Sequence, residues 1–182
     1  DYIPKNLEEV IITDGTTIGD YAFDGCSGLK SIDIPDSVTT IGRSAFNGCS
    51  GLESIKVDKN NNVYHSNGNC LIETETKSLV LGCQTSIIPD DGSVTTIGSS
   101  AFYGCSGLTN IVIPDSVTEI ESYAFEGCSG LKSITLPFIG ATKDGTSNVH
   151  FGYIFGAEKV NSQNDYIPKN LEEVIITDGT TI

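Results

Sequence analysis

The sequence predicts a solenoid, in which short parallel β-strands and turns are stacked as successive coils. An apolar pattern recurs with a step of 23 residues, so that Phe46 follows Phe23, and Phe125 follows Phe102, at the same interval. The first six residues of the pattern alternate with a period of two, as in a strand with one buried face. A fixed period between about 20 and 50 residues is the signature of stacked repeats.

Each part of a regular coil, such as residues 29–51, has its own structural reason. Leu-x-x-Ile-x-Ile predicts a strand, and the proline after it ends that strand because proline cannot donate to a sheet ladder. Val-Thr-x-Ile predicts a second extended piece, Ala-Phe a tight segment that is either 3₁₀ or one-turn helical, and Gly-Cys-Ser-Gly a corner. One coil cannot bury its own apolar edge, so the copies are expected to stack into a continuous core with one long parallel sheet.

Two segments depart from the pattern and are predicted to be insertions, at residues 58–83 and 138–170. In the first, two apolar runs (70–72 and 79–81) flank a polar turn, which predicts a β-hairpin in place of one Ala-Phe corner. The strand pattern is expected to resume at Ile87-Ile88-Pro89. The second insertion is expected to begin with a solvated loop and to continue with an aromatic run.

The two ends of the chain share one sequence, because residues 1–18 reappear without change as residues 165–182. Eighteen identical residues point to a tandem duplication of a unit of about 164 residues. We therefore expect residues 1–182 to be a single solenoid cut from a longer tandem array. Neither end carries a polar capping repeat, so the outer coils are expected to expose apolar edges and to associate end to end.

Composition argues against several classes of partner. The net charge is −14, and a surface this acidic repels phosphate backbones and anionic lipids. For this reason we expect no nucleic-acid binding. We also expect no membrane insertion, because no apolar run approaches the ~18 residues of a membrane span.

Catalytic and metal sites are not expected either. No G-x-S-x-G motif is present, and the two histidines, His65 and His150, lie in different insertions. The Asn-rich segment that begins at Asp58 resembles a calcium loop but lacks its glycine and its final glutamate. The sequence therefore predicts a protein that is not an enzyme and that holds no cofactor or metal.

The six cysteines fall into two groups. Four occupy one position of the repeat and are expected to be buried free thiols; they are Cys26, Cys49, Cys105 and Cys128. The coils between Cys49 and Cys105 are expected to keep those two apart. Cys70 and Cys83 would face each other across the hairpin if its turn were centred between Thr76 and Lys77, so a disulfide and reduced packing both remain open for this pair.

The L-x-x-I-x-I-P strand, the V-T-x-I-G segment and the A-F-x-G-C corner resemble the BspA-type leucine-rich repeats found on microbial cell surfaces. The resemblance covers most of residues 7–137 and resumes at 171–182. It implies a right-handed leucine-rich repeat solenoid. It also implies a non-catalytic recognition or adhesion module, extracellular or on the cell surface, that binds a host or microbial surface protein or a glycan. The alternative is a structural spacer in a large surface protein.

Two surfaces are candidates for partner binding. The first is the column of outward residues on the repeat strand, which runs through Ile11, Asp33, Lys56, Val112, Thr135 and Ile175. The second is the aromatic run with His150, Phe151, Tyr153 and Phe155. Aromatic side chains dominate many binding hot spots, but aromatics that alternate with glycine also pack against a protein flank. For the aromatic run, partner binding and packing against the solenoid both remain open. For the column, partner binding and a plain solvated sheet face both remain open.

Overall fold

The fold is known from a computed structural model, which describes residues 3–178. Residues 1–2 and 179–182, and with them parts of the two identical segments, lie outside the described residues. In the described part, thirteen strands follow one another as β1 Glu9–Val10, β2 Thr17–Ile18, β3 Ser31–Ile34, β4 Thr40–Ile41, β5 Ser54–Val57, β6 Tyr64–Asn67, β7 Cys70–Glu73, β8 Ser78–Leu81, β9 Thr96–Ile97, β10 Asn110–Val112, β11 Glu119–Ile120, β12 Ser133–Leu136 and β13 Glu173–Ile176. We number the coils by their first residues, which are 7, 29, 52, 85, 108, 131 and 171.

The stacking predicted from the repeat is confirmed. β1, β3 and β5 form a parallel sheet in which Ile32 lies beside Ile55, and β10, β12 and β13 form another in which Ile111 lies beside Ile134. The rings of Phe23 and Phe46 stack with centroids 5.4 Å apart, and those of Phe102 and Phe125 with centroids 5.0 Å apart. Residues one period apart therefore lie one coil apart.

The prediction of one long parallel sheet is wrong, because the hairpin divides it. β7 and β8 form the predicted hairpin, and β6 adds a third antiparallel strand. β8 then pairs parallel with β9, which pairs with β11, so the hairpin joins the ladder of second extended pieces. The strands of the first ladder are consequently separated between β5 and β10.

The hairpin is buried on both faces and separates two apolar cores. On β7, Cys70 and Ile72 belong to the core of the C-terminal coils, whereas Leu71 belongs to the core of the N-terminal coils. This alternation is the normal one for a strand, whose neighbouring side chains point to opposite faces. On β8, Leu79 and Leu81 are two residues apart and would normally point to the same face. They enter different cores because the pairing with β7 shifts register between Leu71 and Ile72.

At the corner, coils 2 and 4 contact each other directly, although coil 3 lies between them in sequence. The amide of Gly48 donates a hydrogen bond of 3.2 Å to the carbonyl of Tyr103. The expectation that intervening coils keep Cys49 and Cys105 apart is therefore wrong. Coil 3 has no Ala-Phe corner of its own, so the corner of coil 4 stacks directly on the corner of coil 2.

The segment around Ile87 and Ile88 does not resume the strand as the sequence predicted. It forms no strand, and the amide of Ile87 donates to the carbonyl of Gly68 at the tip between β6 and β7. Ile88 is buried as expected, but Ile87 points into solvent. The hairpin occupies the edge with which this segment would have paired.

The segment at 138–170 completes coil 6 and is only partly solvated. Thr142 forms an antiparallel bridge with Glu119, and the amide of Ile120 donates to the carbonyl of Ala141, so this stretch covers β11. Two 3₁₀ helices follow, at Phe151–Phe155 and Val160–Asp165. The amide of Phe125 donates to the carbonyl of Ile154, as that of Phe102 does to Ala124. The first 3₁₀ helix thus takes the place of the Ala-Phe corner in coil 6.

The Ala-Phe corners are successive tight turns, not the predicted 3₁₀ or one-turn helical segments. Ala22, Asp24 and Cys26 each donate to the carbonyl three residues earlier, without a helix being formed. No helix in the described part of the chain has the length and apolar character needed to cross a membrane.

Candidate functional site

The predicted column of outward residues consists of two chemically different halves. In the N-terminal half, Asp33 and Lys56 are direct neighbours on β3 and β5, and both are exposed. In the C-terminal half, Val112, Thr135 and Ile175 are neighbours on β10, β12 and β13. The first half offers paired opposite charges, whereas the second offers a largely apolar surface.

Ile87 extends the apolar half and was missed by the sequence reasoning. Its side chain is 75% exposed, and those of Val112 and Ile175 are 63% and 45% exposed. The signal was present, since Ile87 precedes Ile88-Pro89 as Asp33 precedes Ile34-Pro35. The prediction passed over coil 4 because its strand pattern is shortened by the preceding hairpin.

A groove of about 440 Å³ lies at this apolar half. Its walls come from the segment around Ile87 and from β10, and among residues 3–178 no backbone hydrogen bond joins residues 86–88 to β10. The break in the ladder leaves the two walls free to diverge. The groove is lined by Ser86, Ile87, Ile88, Asp90, Asn110, Ile111, Val112, Ile113, Pro114, Asp115, Thr135 and Thr177.

Two carboxylates give this groove, which we call the strand-face groove, an acidic border. Asp90 follows the wall that contains Ile87, and Asp115 follows the opposite wall. Asp115 is held in place because its Oδ1 accepts a hydrogen bond of 2.8 Å from Thr177 Oγ1. The groove therefore combines exposed branched aliphatic side chains with negative charge. This arrangement suits an apolar side chain that is flanked by basic groups.

The aromatic run is mostly a structural corner. Phe155 is fully buried, with its ring 6.4 Å from that of Phe125, so it does not belong to an exposed patch. Phe151 and Tyr153 are half-buried against the same core. The half-buried ring of His150 meets Tyr153 edge-on at 6.2 Å, and its Nδ1 has no hydrogen-bond partner among the described residues. The run thus presents only parts of two or three rings to solvent.

All six cysteines are buried free thiols, so the candidate disulfide between Cys70 and Cys83 is absent. The physical reason is that the two side chains enter different cores on the two sides of the hairpin. Burial raises the pKa of the Cys70 thiol to about 12, and it does the same for Cys49 and Cys105. Burial also raises the pKa of Cys128 well above its ordinary range. Thiols that stay protonated are poor nucleophiles and poor metal ligands.

A second concave surface lies where coil 3 lacks its corner. This corner cleft has a volume of about 460 Å³ and opens between the corners of coils 2 and 4, and Val80 and Leu81 of the hairpin also line it. Tyr21 and Tyr123 border it, and the guanidinium of Arg43 lies 5.4 Å from the ring centroid of Tyr21. Arg43 is the only arginine of the chain. The sequence signal for this cleft is the absence of an Ala-Phe pair in coil 3.

Histidine, cysteine and carboxylate side chains do not converge on a cation position. Within residues 3–178, no group of three or more of them is arranged to hold a metal ion. His65 pairs instead with Thr74, at 2.9 Å from its Nδ1.

Comparisons with known proteins agree with this architecture. A family model described as the BspA type leucine rich repeat region matches six copies, over residues 2–91 and 81–176. No curated protein matches the chain.

Solved structures of bacterial leucine-rich repeat proteins share the fold. One, from Eubacterium ventriosum, is 25% identical, with 88% of this chain covered and a TM-score of 0.54. Another, a leucine rich cell surface protein from Faecalibacterium prausnitzii, is 21% identical, with 89% covered and a TM-score of 0.56. The chain spans 45% and 57% of the lengths of these two proteins. With six copies of the repeat matched over nearly its whole length, the chain belongs to the family of BspA-type leucine-rich repeat proteins.

Proposed function

We propose that this chain is a non-catalytic recognition module of a cell-surface protein and that it binds a protein partner through the strand-face groove. The observation that carries the proposal is the exposure of Ile87 at 75% and Val112 at 63% on the two walls of one groove. Exposed branched aliphatic side chains that are contiguous mark interaction sites more often than single ones do. The described residues around them offer no competing intramolecular cover.

The charge distribution defines the partner further. The chain carries a net charge of −14, and Asp90 and Asp115 border the groove. A partner segment with a protruding apolar side chain and flanking lysine or arginine would match both features. Such complementarity raises the rate of encounter more than it raises the final affinity. A host or microbial surface protein with a basic exposed loop is therefore the favoured class, and adhesion is the expected role.

Location at the cell surface is part of the same proposal. It is supported by the family, and by a similar structure that is described as a leucine rich cell surface protein. A protein on the surface of a cell meets its partners in the medium or on another cell. An extended solenoid face serves that purpose without any catalytic group.

The test is a binding measurement on an array of purified host and bacterial surface proteins, with the full chain as the probe. A double substitution, Ile87→Glu with Val112→Glu, places carboxylates on both walls of the groove and should reduce binding at least about 30-fold, as hot-spot losses do. Ile11→Glu is the matched control, because Ile11 is also 75% exposed and holds the same column position outside the groove. Unchanged binding by the double variant would refute the assignment of the groove.

The corner cleft favours a glycan as a second candidate partner. The rings of Tyr21 and Tyr123 can stack on sugar faces, the hydroxyls of Ser44 and Ser100 line the wall, and Arg43 can pair with an acidic sugar. A glycan array probed with the full chain tests this candidate. Tyr123→Ala should remove a hit that depends on the cleft, while the groove variant should retain it. A chain that binds nothing on either array would be better described as a structural spacer.

A further inference from the structure

The two copies of the duplicated segment, in coils 1 and 7, each bind a neighbouring coil through a different strand edge, so the edge that is covered in one copy is open in the other. In the first copy, the carbonyls of Lys5 and Glu8 accept hydrogen bonds of 2.9 and 3.1 Å from the amides of Gly28, just before coil 2, and Lys30, in coil 2. In the second copy, the amides of Glu172 and Thr177 donate to the carbonyls of Lys132 and Leu136 in coil 6, at 2.8 and 2.9 Å. One sequence thus offers carbonyls to the coil after it and amides to the coil before it.

The strand register is the same in both copies. Val10 on β1 lies beside Ile32 on β3, and Val174 on β13 lies beside Ile134 on β12. Val10 and Val174 occupy the same position of the duplicated sequence, 164 residues apart. The duplicated sequence can therefore pair with two neighbouring strands at once, one like β12 on its amide edge and one like β3 on its carbonyl edge.

The second copy lacks one of these two neighbours within the described chain. Among residues 3–178, no backbone amide donates a hydrogen bond to the carbonyls of Lys169 and Glu172, the counterparts of Lys5 and Glu8. Val174 is 42% exposed, whereas Val10 packs against the core of the N-terminal coils. This edge is chemically identical to the one that coil 2 already binds, because the residues that form it are identical.

We infer that coil 2 of a second copy of this chain binds the outer edge of β13, replacing its own residues 3–18 there. The replacement leaves coil 2 with the same contacts as before, since the incoming and the displaced sequences are identical. It also covers the open edge of the second copy. Because donor and acceptor edges differ, the contact joins unlike ends of the two chains, and such head-to-tail contacts propagate into filaments. The same contact would join consecutive units of the tandem duplication expected from the sequence into one continuous solenoid.

The duplicated sequence supplies its own matched variants. Val10→Asp puts a carboxylate into the core contact of the first copy, which favours release of that segment, because an unpaired buried charge is costly. Val174→Asp puts the same carboxylate into the joint itself. Sedimentation velocity of the full chain should show association that rises with concentration for the wild type, more strongly for Val10→Asp, and not at all for Val174→Asp. Both substitutions lie outside the strand-face groove.

The register of the joint can be measured separately. In a mixture of unlabelled and ¹⁵N-labelled chains, a zero-length carbodiimide cross-link should join Lys30 of one chain to Glu172 of the other, as Lys30 lies beside Glu8 within a chain. Residues 19–30 follow Glu8 in its peptide, and residues 158–164 precede the second copy and occur nowhere else, so mass spectrometry of peptides that include these flanking residues separates Glu8 from Glu172. The inference is overturned if wild type and Val10→Asp remain monomeric, if Val174→Asp associates as strongly as the wild type, or if the cross-link joins residues outside this register.

Discussion

The amide of Gly48 donates a hydrogen bond of 3.2 Å to the carbonyl of Tyr103, which joins the corner of coil 2 to the corner of coil 4. At the same level, the amide of Gly82 donates to the carbonyl of Ala101, so the end of the hairpin fills the inner part of the gap. The glycines make this closure tight. Gly104 has a φ of +73°, and a Cβ there would lie 3.0 Å from the Cα of Gly48.

Replacement of Gly104 by alanine should therefore be more costly than replacement of a glycine with the same backbone conformation in an open turn. Gly92 is the matched control, because its φ is +77° and no atom lies within 4 Å of the position of its Cβ. Both variants incur about 1 to 2 kcal/mol for a left-handed alanine. Gly104→Ala must also separate the two corners, and we expect at least about 1 kcal/mol more destabilisation in chemical denaturation. Equal losses for the two variants would contradict a close corner contact.

β4 pairs with β2 on one side only, and on its other side the hydroxyl of Tyr64 supplies a hydrogen-bond acceptor in place of a neighbouring strand. It accepts a hydrogen bond of 3.1 Å from the amide of Ile41, which no neighbouring strand reaches. Tyr64→Phe keeps the ring and leaves this amide unpaired, so we expect a loss of about 1 to 3 kcal/mol in the free energy of unfolding. Tyr166→Phe, at a ring that is 43% exposed, should change stability by less than about 0.5 kcal/mol. If Tyr64→Phe left the free energy of unfolding unchanged, water would be an equally good hydrogen-bond acceptor for the amide of Ile41.

The sequence predicted the parts of this fold that depend on spacing alone. The stacking of Phe23 on Phe46 and the hairpin strands near residues 70–73 and 78–81 follow from periodicity and alternation. It did not predict which ladder the hairpin would join, because β8 reaches β9 only through the register shift after Leu71. That choice depends on three-dimensional packing between two cores and has no local sequence signal.

The candidate site was predicted to a similar degree. The outward position of Val112 follows from the alternation of its strand, and the exposure of Ile87 could have been found from the same alignment. The strand-face groove could not, because it requires residues 86–88 and β10 to separate after the ladder is broken. For Phe155 the sequence left exposure and packing both open, and the structure shows packing. Its corner carries isoleucine in place of the usual alanine, which hid its likeness to the corner at Phe125.

Substitutions in the aromatic run should separate its structural part from its exposed part. Phe155 is fully buried beside Phe125, so Phe155→Ala should destabilise the chain by about 3 to 5 kcal/mol. Tyr153 is only half-buried, and Tyr153→Ala should cost clearly less and leave the fold intact. Thermal and chemical denaturation of the two variants measure this difference. If Tyr153→Ala also abolished binding to a partner from the protein array, the site would move from the strand-face groove to this corner.

The buried thiols should make stability depend on alkaline pH. Burial raises the pKa of Cys49, Cys70 and Cys105 to about 12, from an ordinary value of 9.0. Between these two values the unfolded chain loses thiol protons that the folded chain retains, so the unfolded state binds fewer protons. Stability is therefore complete below pH 9 and falls as pH rises towards 12, by about 1.4 kcal/mol per pH unit for each thiol.

Tyrosine and lysine also titrate in this range, so the contribution of one thiol needs a difference measurement. Cys105→Ala removes a single thiol from the core of the C-terminal coils. At pH 8 the variant should be less stable than the wild type, because alanine leaves a small cavity. From pH 9 to pH 11 the gap between the two should shrink, since only the wild type still loses the stabilisation of a protonated Cys105. A gap that stayed constant over this range would mean that Cys105 ionises equally in the folded and unfolded chains, which is incompatible with its burial.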